Sequence, residues 1–492
     1  MKRREFLQAA VVGTLGVKPA TPVLARAEIR GAGKAPELTD TLPMGTYLSQ
    51  HDLVYEQAPR EWEEGIPLGN GDLGALIWSD GAPLRITLDK YDVWETRTQD
   101  PTDPRYSYQG LRKLIGAKKF EEAKQLSEPH DPMKPAPTRL PLPRMEFDFG
   151  SRPRSYTARV VLHDALVRGS LGFASGPLNW VAFVHSEKNV LVVQLTLPPG
   201  VKLENLKVDL SHLDEHTRKR LRAWGYPDPE IGQQGGRHWF EQRLPANGRY
   251  VVMYEQISRG PQTSVFVTIV YKADGSDPKP EAGNNLTEAT RQSRQVLLAE
   301  HAKFWHAHWQ KSFLSLPDAK LENLFYVEMY KLGCSSRSGK YPISLQGVWT
   351  KDGGLPVFYG EYAFDINVQE SYWPVYTSNH LDCGQPLYER FFQNLPRYKK
   401  FCRDFFGFDG AWSRCEQGLD GSPIYGWYTV NFWPGNRVWL THHFPLHGLY
   451  SREGFLVRPN FKTRPRHPAT GLKRKRLHPI DSAQLAFFVI VG

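Results

Sequence analysis

The spacing of apolar and polar residues changes character along this chain of 492 residues. Between residues 156 and 271, short runs in which the two kinds alternate follow one another, rich in Val and Thr and separated by turn residues. Alternation with a period of two predicts strands with one buried face, and several such strands in succession predict a β-sandwich. From residue 286 onward the apolar period is helical. The sequence therefore predicts a β-sandwich followed by a helical domain.

Individual segments refine this outline. Residues 67–75 read PLGNGDLGA, a glycine-rich turn that runs into an apolar strand. Because no Lys-Ser or Lys-Thr pair follows the glycines, they are expected to serve turns or a close backbone approach and not to bind phosphate. Residues 105–126 have helical spacing, and residues 286–316 predict one long amphipathic helix. The stretch 274–285 contains few apolar residues and predicts a linker between the two parts.

The net charge of +10 belongs to the two ends of the chain. Residues 1–27 contribute +4 and residues 457–492 contribute +7, so that the body between them carries −1. A nucleic-acid-binding domain needs a basic patch on its folded surface. We therefore predict no nucleic-acid partner for the body of the protein. Its 14 tryptophans, by contrast, suit the handling of carbohydrate.

The first 27 residues have the pattern of an export signal. Arg3 and Arg4 form a twin-arginine pair, a short and weakly apolar run follows, and an A-x-A cleavage site ends at Ala27. A signal of this type is removed from the mature protein. Its apolar run is too short and too polar to remain as a membrane-spanning helix. The sequence thus predicts a bacterial periplasmic or secreted protein without a stable membrane anchor, exported by the twin-arginine pathway.

Residues 346–374 hold the densest collection of candidate chemistry. Seven aromatic residues are interspersed there with four acids and an asparagine. The polar residues of this set are Asp352, Glu361, Asp365, Asn367 and Glu370. Aromatic rings bind the apolar faces of sugars, while carboxylates and amides hold hydroxyl groups and transfer protons. The segment predicts a carbohydrate-binding cleft; the alternative is a buried aromatic layer with solvated acids on its rim.

Four blocks of sequence occur in an order that is informative. The first comprises PLGNGDLGA at residues 67–75 and LDKYDVW at 88–94, and the second extends over residues 324–349 with SSR and LQG within it. The third is DINVQ with YWP at 365–374, and the fourth is WPG with VWL and a histidine at 433–443. Together they resemble the glycoside hydrolase family 95 enzymes, which are α-L-fucosidases and their relatives.

The resemblance implies an N-terminal β-sandwich domain at 45–275 and an (α/α)6 toroid, here partial, at 288–456. It also implies inverting hydrolysis of α-L-fucosides or related α-glycosides. In that family two asparagines of an N-x-N motif, oriented by a carboxylate, position the attacking water, and a later glutamate is the general acid. Inversion needs both an acid at the leaving oxygen and an activated water on the opposite face of the sugar. Asn367 matches the second asparagine and Asp365 replaces the first, so these two are the candidate catalytic residues.

The carboxylate at position 365 departs from the family pattern and is expected either to act as a true general base or to mark a different sugar. Five residues are candidates for binding the substrate, an oligosaccharide or polysaccharide glycan. They are Trp349, Glu361, Glu370, Trp373 and His380. A later loop containing Glu416, Asp420 and Trp427 is an alternative lining of the same cleft.

The resemblance ends near residue 456. Residues 457–492 contain eight basic residues, and no S-P-E segment, which carries the general acid in the family, occurs. The expectation is an aberrant tail from a frameshift or premature stop, an incomplete toroid and an impaired hydrolase. Two alternatives stay open: a non-catalytic glycan-binding protein on the same scaffold, and a gene remnant without function.

We predict neither a cofactor nor a metal. The four cysteines show no C-x-x-C spacing, and no cluster of further ligands accompanies the histidines at 380, 442 and 443. The partner expected from the sequence is a carbohydrate substrate, and the pattern carries no information on the oligomeric state.

Overall fold

The structure is a computed structural model, which describes residues 43–127, 131, 133–424 and 431–451. The predicted export signal, the basic tail and Trp427 lie outside the described residues. Among the helices within the described ranges, none is long and apolar enough to cross a membrane.

Within the described ranges, sixteen strands precede the helical part of the chain, and two more form a short ribbon within it. In chain order they are β1 Leu53–Tyr55, β2 Ile66–Gly69, β3 Leu73–Trp78, β4 Leu84–Lys90, β5 Trp94–Glu95, β6 Thr138–Arg139, β7 Arg144–Asp148, β8 Ser155–Val161, β9 Leu166–Phe173, β10 Gly176–Val184, β11 Val190–Thr196, β12 Asn205–Asp209, β13 Glu230–Gln234, β14 Arg237–Arg243, β15 Arg249–Arg259, β16 Gln262–Lys272, β17 Tyr362–Ala363 and β18 Glu416–Gln417.

Two antiparallel sheets make the predicted β-sandwich. The larger has nine strands in the order β1-β8-β9-β10-β11-β16-β15-β14-β13, and the smaller has five in the order β12-β7-β4-β3-β2. Their facing side chains belong to one core, to which Ile77 and Phe147 contribute from the smaller sheet and Leu171 and Val193 from the larger. In β8 buried and exposed positions alternate strictly over its first six residues, as expected for a strand with one face on a core. The sandwich predicted from the alternation is therefore confirmed.

Twelve α-helices occur among the described residues. They are α1 Met44–Leu48, α2 Tyr108–Gly116, α3 Phe120–Ser127, α4 Glu215–Ala223, α5 Lys279–Arg291, α6 Arg294–Trp309, α7 Ala319–Ser335, α8 Asn367–Tyr372, α9 Pro374–Thr377, α10 Leu381–Phe401, α11 Gly435–Thr441 and α12 His443–Ser451. Short 3-10 turns occupy Trp62–Glu64 and Val357–Gly360, and a π-type turn Cys402–Phe406 follows α10. Closure of these helices into a toroid stays a prediction.

Two helix predictions were wrong in their boundaries. The helix expected over 105–126 is broken between α2 and α3, where Lys118 adopts a left-handed φ of 58°. The helix expected over 286–316 is broken before α6, whose first turn is capped by the Ser293 hydroxyl accepting from the Val296 amide at 3.3 Å. The expected linker 274–285 is largely helical, since α5 begins at Lys279. A narrow apolar stripe that includes Leu286 packs α5 against the larger sheet. Few apolar residues are enough to hold this helix in place, because only one narrow face of it is buried.

The glycine-rich turn between β2 and β3 joins the sandwich to α7. The Gly71 amide donates to the carbonyl of Cys334 at 2.7 Å. The buried guanidinium of Arg337 donates to the carbonyls of Gly69 and Ser186 at 3.2 and 2.6 Å. A Cβ atom on Gly69 would lie 2.7 Å from the Cys334 carbonyl oxygen. The close backbone approach predicted for these glycines is thus what the turn provides.

Candidate active site

The ribbon of β17 and β18 places three carboxylates on one face. Ala363 lies directly opposite Glu416 in this antiparallel pair, and a further backbone hydrogen bond of 2.8 Å extends the register by one residue beyond it. Side chains along a strand alternate between its faces, while directly opposed residues share a face. Glu361 and Asp365, each two residues from Ala363, therefore share its face with Glu416.

The other face of the ribbon is part of the protein core. Tyr362 and Phe364 are buried, and the Tyr362 ring stacks on Trp94 with centroids 6.1 Å apart. Farther along the same segment, Tyr372 is fully buried, and its hydroxyl accepts from the Ile343 amide at 2.8 Å. Part of the aromatic set in residues 346–374 is thus a buried layer, as the alternative interpretation of the sequence held, while the acids on the opposite face form a separate group.

The environment of the ribbon favours protonated glutamates. Glu361 is 4% exposed and Glu416 is 8% exposed. Burial first, and then the charges of Glu416 and Asp365, raise the pKa of Glu361 to about 9. Burial, followed by the charge of Asp365, raises the pKa of Glu416 to about 7. Within the described part of the chain, no group donates a hydrogen bond to either side chain. A buried carboxyl without donors favours its neutral form.

The two candidate catalytic residues lie where the ribbon runs into α8. Asp365 is half-buried, and one of its oxygens accepts from the Ile366 amide at 2.9 Å. Asn367 is the exposed first residue of α8. Its side-chain amide makes no hydrogen bond to a described residue. The structure therefore brings the predicted pair together at the solvent-facing end of the carboxylate face.

Two predicted substrate-binding residues lie close to Asn367 in sequence: Glu370 belongs to α8, and Trp373 is its C-cap residue. Asn367, Glu370 and Trp373 follow one another at intervals of three, and all are exposed. Residues three apart on a helix are surface neighbours, so the three form one face. The Trp373 side chain is 46% exposed, with its ring centroid 6.1 Å from that of Trp439. This face offers an amide, a carboxylate and an indole to solvent beside the ribbon.

Two other predicted substrate-binding residues have structural contacts instead. The half-buried indole of Trp349 donates to the Leu68 carbonyl at 2.9 Å, which links the segment to the sandwich. His380 is 1% exposed. One of its ring nitrogens lies 2.9 Å from the Ser378 hydroxyl and the other 3.0 Å from the His308 carbonyl. Because both nitrogens are engaged inside the protein, we place His380 outside the candidate site.

Two further acids singled out in the sequence belong to ion pairs away from the carboxylate face. Asp352 accepts from the Thr87 hydroxyl at 2.9 Å and from the Arg144 guanidinium at 2.8 Å, which ties residues 346–374 to the smaller sheet. Asp420 pairs with Arg397 at 2.7 Å. Glu416 is the one residue of its loop that the structure brings to the ribbon face, among the described residues. The sequence indicated it only as a member of that loop.

A turn of unusual backbone conformation leads into Glu361. Phe358 and Tyr359 adopt left-handed φ angles of 51° and 63°, and Gly360 follows at 62°. The Thr138 hydroxyl donates to the Tyr359 carbonyl at 3.2 Å and helps to hold the turn against β6. Non-glycine residues in this conformation are sterically strained, and such strain clusters at functional sites. The half-exposed ring of Phe358 belongs to this turn, three residues before Glu361 in sequence.

A cavity of about 360 Å³ lies between α10, the residues before α2 and the loop before β18. Its cations are engaged by neighbours. Arg414 donates to the Tyr106 hydroxyl at 2.5 Å and lies 4.5 Å from the Phe401 ring centroid, and Lys400 pairs with Asp404. The cavity thus lies between structural elements whose cations Arg414 and Lys400 are engaged by neighbouring side chains.

One cluster in the described ranges has metal-binding residue types. Asp164 lies 3.3 Å from His163 and 2.9 Å from His306, and hydrogen bonds, first that of His163, hold the pKa of Asp164 well below its usual range. The two imidazole rings stack at 3.9 Å with planes 22° apart. Lone pairs lie in the ring planes, so nearly parallel rings do not converge on one ion. The geometry fits a hydrogen-bonded triad on the β8–β9 turn and α6.

Two known protein families match the chain, one over the part that contains the β-sandwich and the other over the helical part that follows. The glycosyl hydrolase family 65 N-terminal domain matches residues 53–299, half of the chain, and the glycosyl hydrolase family 95 catalytic domain matches residues 298–461. The fold and these matches define the class as that of the glycoside hydrolases. Within it, residues 298–461 are similar to the glycoside hydrolase family 95 catalytic domain, in agreement with the resemblance of the sequence blocks.

Individual relatives are distant. The chain is 22% identical over 483 residues to "Alpha-L-fucosidase 2" of Arabidopsis thaliana, covering 82% of this chain and 56% of that protein. It is 25% identical over 207 residues to "Probable alpha-fucosidase A" of Aspergillus niger, covering 36% of this chain and 26% of that protein. The solved structure "Putative kojibiose phosphorylase from human microbiome" has a similar fold, with a TM-score of 0.53 and 12% identity over 81% of this chain and 54% of that chain. The chain spans about half the length of the first relative.

Proposed function

We propose that this chain is an exported inverting glycosidase that acts on α-L-fucosides or related α-glycosides within glycans. The observation that carries the proposal is the placement of three carboxylates on one ribbon face, next to Asn367 and the exposed indole of Trp373. Membership of a family of glycoside hydrolases and the printed names of the two curated relatives support a sugar substrate. Export rests on the twin-arginine pattern of the first 27 residues.

Asp365 and Asn367 would hold the attacking water. One Asp365 oxygen is engaged by the Ile366 amide, which leaves the other to accept a proton from water. The exposed Asn367 amide can accept or donate and so fixes the orientation of that water. A carboxylate in this place is a stronger base than the asparagine of the family, and the water would be deprotonated as it attacks the anomeric carbon.

Trp373 and Glu370 would hold the sugar. An exposed indole provides a flat apolar surface for the less polar face of a pyranose, and the methyl group of a 6-deoxy sugar enlarges that face. Glu370, three residues earlier on the same helical face, provides acceptors for hydroxyl groups. We expect these two residues to favour a neutral sugar, because a carboxylate group on the sugar would be repelled by this acidic face.

Hydrolysis of 4-nitrophenyl α-L-fucoside and α-L-galactoside by the mature chain tests the proposal, with the anomer of the product followed by NMR. We expect release of the β-anomer and a loss of at least about 100-fold in kcat for Asp365→Asn, the usual scale for a general base. Asp228→Asn, at an exposed position, is the matched control. Turnover unaffected by Asp365→Asn would overturn the assignment, and binding of the sugars without turnover would identify a glycan-binding protein.

A further inference from the structure

A groove of about 300 Å³ lies between α4 and the strained turn that precedes Glu361. Two hydrogen bonds hold its walls together. The Asp214 amide donates to the Gly353 carbonyl at 2.7 Å, and the Leu355 amide donates to the Thr217 hydroxyl at 3.1 Å. The volume lies at the lower end of the range for small-molecule sites. This depression, called here the α4 groove, is therefore preformed and has fixed walls.

Helix α4 concentrates positive charge on a body of the chain that carries a net charge of −1. Its nine residues include one acid and four cations, which are Arg218, Lys219, Arg220 and Arg222. Among the residues that the structure describes, none of the four cations forms an ion pair. A cluster of like charges without counter-charges attracts ligands of opposite sign. The helix thus favours an anionic ligand.

Arg220 is the cation of α4 that lines the groove. Its guanidinium carbon lies 4.7 Å from the ring centroid of the buried Trp224. The Arg220 Nε atom is buried and has no hydrogen-bond partner in the described part of the chain. A guanidinium that rests against an indole with a donor unused is preorganised to bind an oxyanion through two parallel hydrogen bonds.

The rest of the groove suits a sugar that carries an anionic group. Val357 and Phe358 line it and are 59% and 50% exposed, and an exposed ring provides a surface for the apolar face of a pyranose. Lys351, a second cation of the lining, is paired with Asp214 at 3.1 Å. The positive charge of Arg220 is therefore the one that remains for a ligand.

Tyr359 connects the α4 groove with the ribbon. It lines the groove and precedes Glu361 by two residues, and two residues of chain span at most about 7 Å. Burial raises the pKa of the Tyr359 hydroxyl; the charge of Arg220 lowers it, and the charges of the two ribbon glutamates raise it. The hydroxyl thus lies within electrostatic reach of both the groove and the carboxylate face. A glycan with one sugar at the ribbon can place its next sugar in the groove.

We propose that the α4 groove binds an anionic sugar, a uronate or a sulfate ester, next to the neutral sugar that is released in the hydrolysis proposed above, on which this assignment rests. Arg220 donates to the anionic group, and Phe358 supports the sugar ring. Both groups present oxygen atoms at the spacing that a guanidinium fork recognises. The site selects acidic glycans, while the sugar that is released is neutral.

Three disaccharides test the proposal, in which α-L-fucose is linked to galactose, galactose 6-sulfate or galacturonate. Their second sugars differ only at C6. For the wild type we expect kcat/KM to be about 10-fold higher on at least one acidic disaccharide than on the neutral one, the scale of one hydrogen-bonded charge. The advantage should shrink at about 0.5 M NaCl, because salt screens the contact. The acidic disaccharide that is preferred identifies the anionic group.

Variants of α4 assign the preference to the groove. Arg220→Gln should lower kcat/KM on the preferred acidic disaccharide about 10-fold, to the level of the neutral one. Arg220→Lys keeps the charge without the fork and should retain part of the preference. Lys219→Gln is the matched control, because it removes one charge from the same helix at an exposed position outside the groove, and it should keep the full preference. An undiminished preference in folded Arg220→Gln would overturn the assignment.

Calorimetric titration with the intact disaccharides distinguishes failure of this site from failure of the proposed hydrolysis. Equal wild-type turnover of all three would overturn the acidic site and leave the glycosidase intact. If none is hydrolysed, the proposed function fails and wild-type affinities decide about the groove. Binding of an acidic disaccharide about 10-fold tighter than the neutral one, lost in Arg220→Gln, would support the site, and equal or absent binding would overturn it.

Discussion

Replacing Glu361 with glutamine should stabilise the protein at neutral and alkaline pH. In the folded chain, burial is the first cause that raises the Glu361 pKa from 4.5 to about 9, and the neighbouring carboxylates are the second. A raised pKa means that the folded state holds the proton more tightly than the unfolded chain does. The contribution to stability is therefore complete below about pH 4.5 and is lost progressively until the pH passes about 9.

The magnitude follows from the linkage between proton binding and folding. One proton taken up by the folded state alone gives a slope of about 1.4 kcal/mol per pH unit. Between pH 5 and pH 7, Glu361 should thus cost the wild-type protein roughly 3 kcal/mol of its free energy of unfolding. Glutamine has nearly the same shape as the protonated glutamate and cannot ionise. Glu361→Gln should match the wild type at pH 5 and exceed it by about that amount at pH 7.

Urea unfolding at pH 5, 6, 7 and 8, followed by circular dichroism, measures this difference directly. Glu370→Gln removes a glutamate charge from an exposed position of the same segment, and it should show the pH dependence of the wild type. Parallel stability curves for the wild type and Glu361→Gln across this range would refute the reasoning. They would mean that Glu361 ionises freely in the folded state and that its carboxyl group reaches water.

Three other substitutions test contacts that do not involve Glu361. Arg337→Met should lower the free energy of unfolding by about 3 kcal/mol, since it leaves buried carbonyls without donors, as seen in urea titrations. Gly69→Ala should cost about 1–3 kcal/mol, because its new Cβ would press on the Cys334 carbonyl, and should lower the melting temperature. Trp373→Ala should raise KM for the aryl glycoside about 10-fold, since it removes an exposed stacking surface, with little change in thermal stability.

Two of these substitutions have a matched control at another position. Gly116→Ala, at a helical glycine whose Cβ would meet nothing within 4 Å, should be neutral or stabilising where Gly69→Ala destabilises. Phe392→Ala removes an exposed ring elsewhere and should leave KM unchanged. A stable Arg337→Met protein would show that the junction around α7 is held without the guanidinium. An unchanged KM in Trp373→Ala would remove the indole from the sugar site.

The β-sandwich was predictable because the period of a strand is a local property of the sequence. In β8 every second residue is buried, and the pattern could be read without knowledge of the partner strands. The helix breaks were harder to predict, because each depends on one residue. Lys118 breaks the apolar stripe by taking a left-handed conformation, and Ser293 starts a new helix by capping it. The hydrophobic period of the sequence requires neither the left-handed conformation of Lys118 nor the helix cap at Ser293.

The candidate site was predictable only where its residues are neighbours in sequence. Asp365, Asn367 and Trp373 lie within one short segment, and the sequence placed them together. Glu416 reaches the site through a strand of two residues, and its register is fixed by tertiary contacts that no local pattern encodes. His380 is the opposite case, because its sequence position indicated a role in the site and the structure shows internal contacts. A histidine near an aromatic segment resembles a ligand, yet this one completes hydrogen bonds inside the protein.

Residues 361–365, which read Glu-Tyr-Ala-Phe-Asp, explain why the aromatic and acidic segment had two interpretations. Strict alternation sends the two rings into the core and the two acids, with the methyl group between them, to the opposite face. The buried rings fix the ribbon, and a fixed ribbon keeps the acids near one another and near Glu416 despite their repulsion. Packing energy on one face thus sustains unfavourable electrostatics on the other, which is the arrangement that acid–base chemistry at neutral pH requires. Tyr362→Ala would loosen the core beneath the ribbon. It should therefore lower the pKa of Glu416 toward its ordinary value while the chain is still folded.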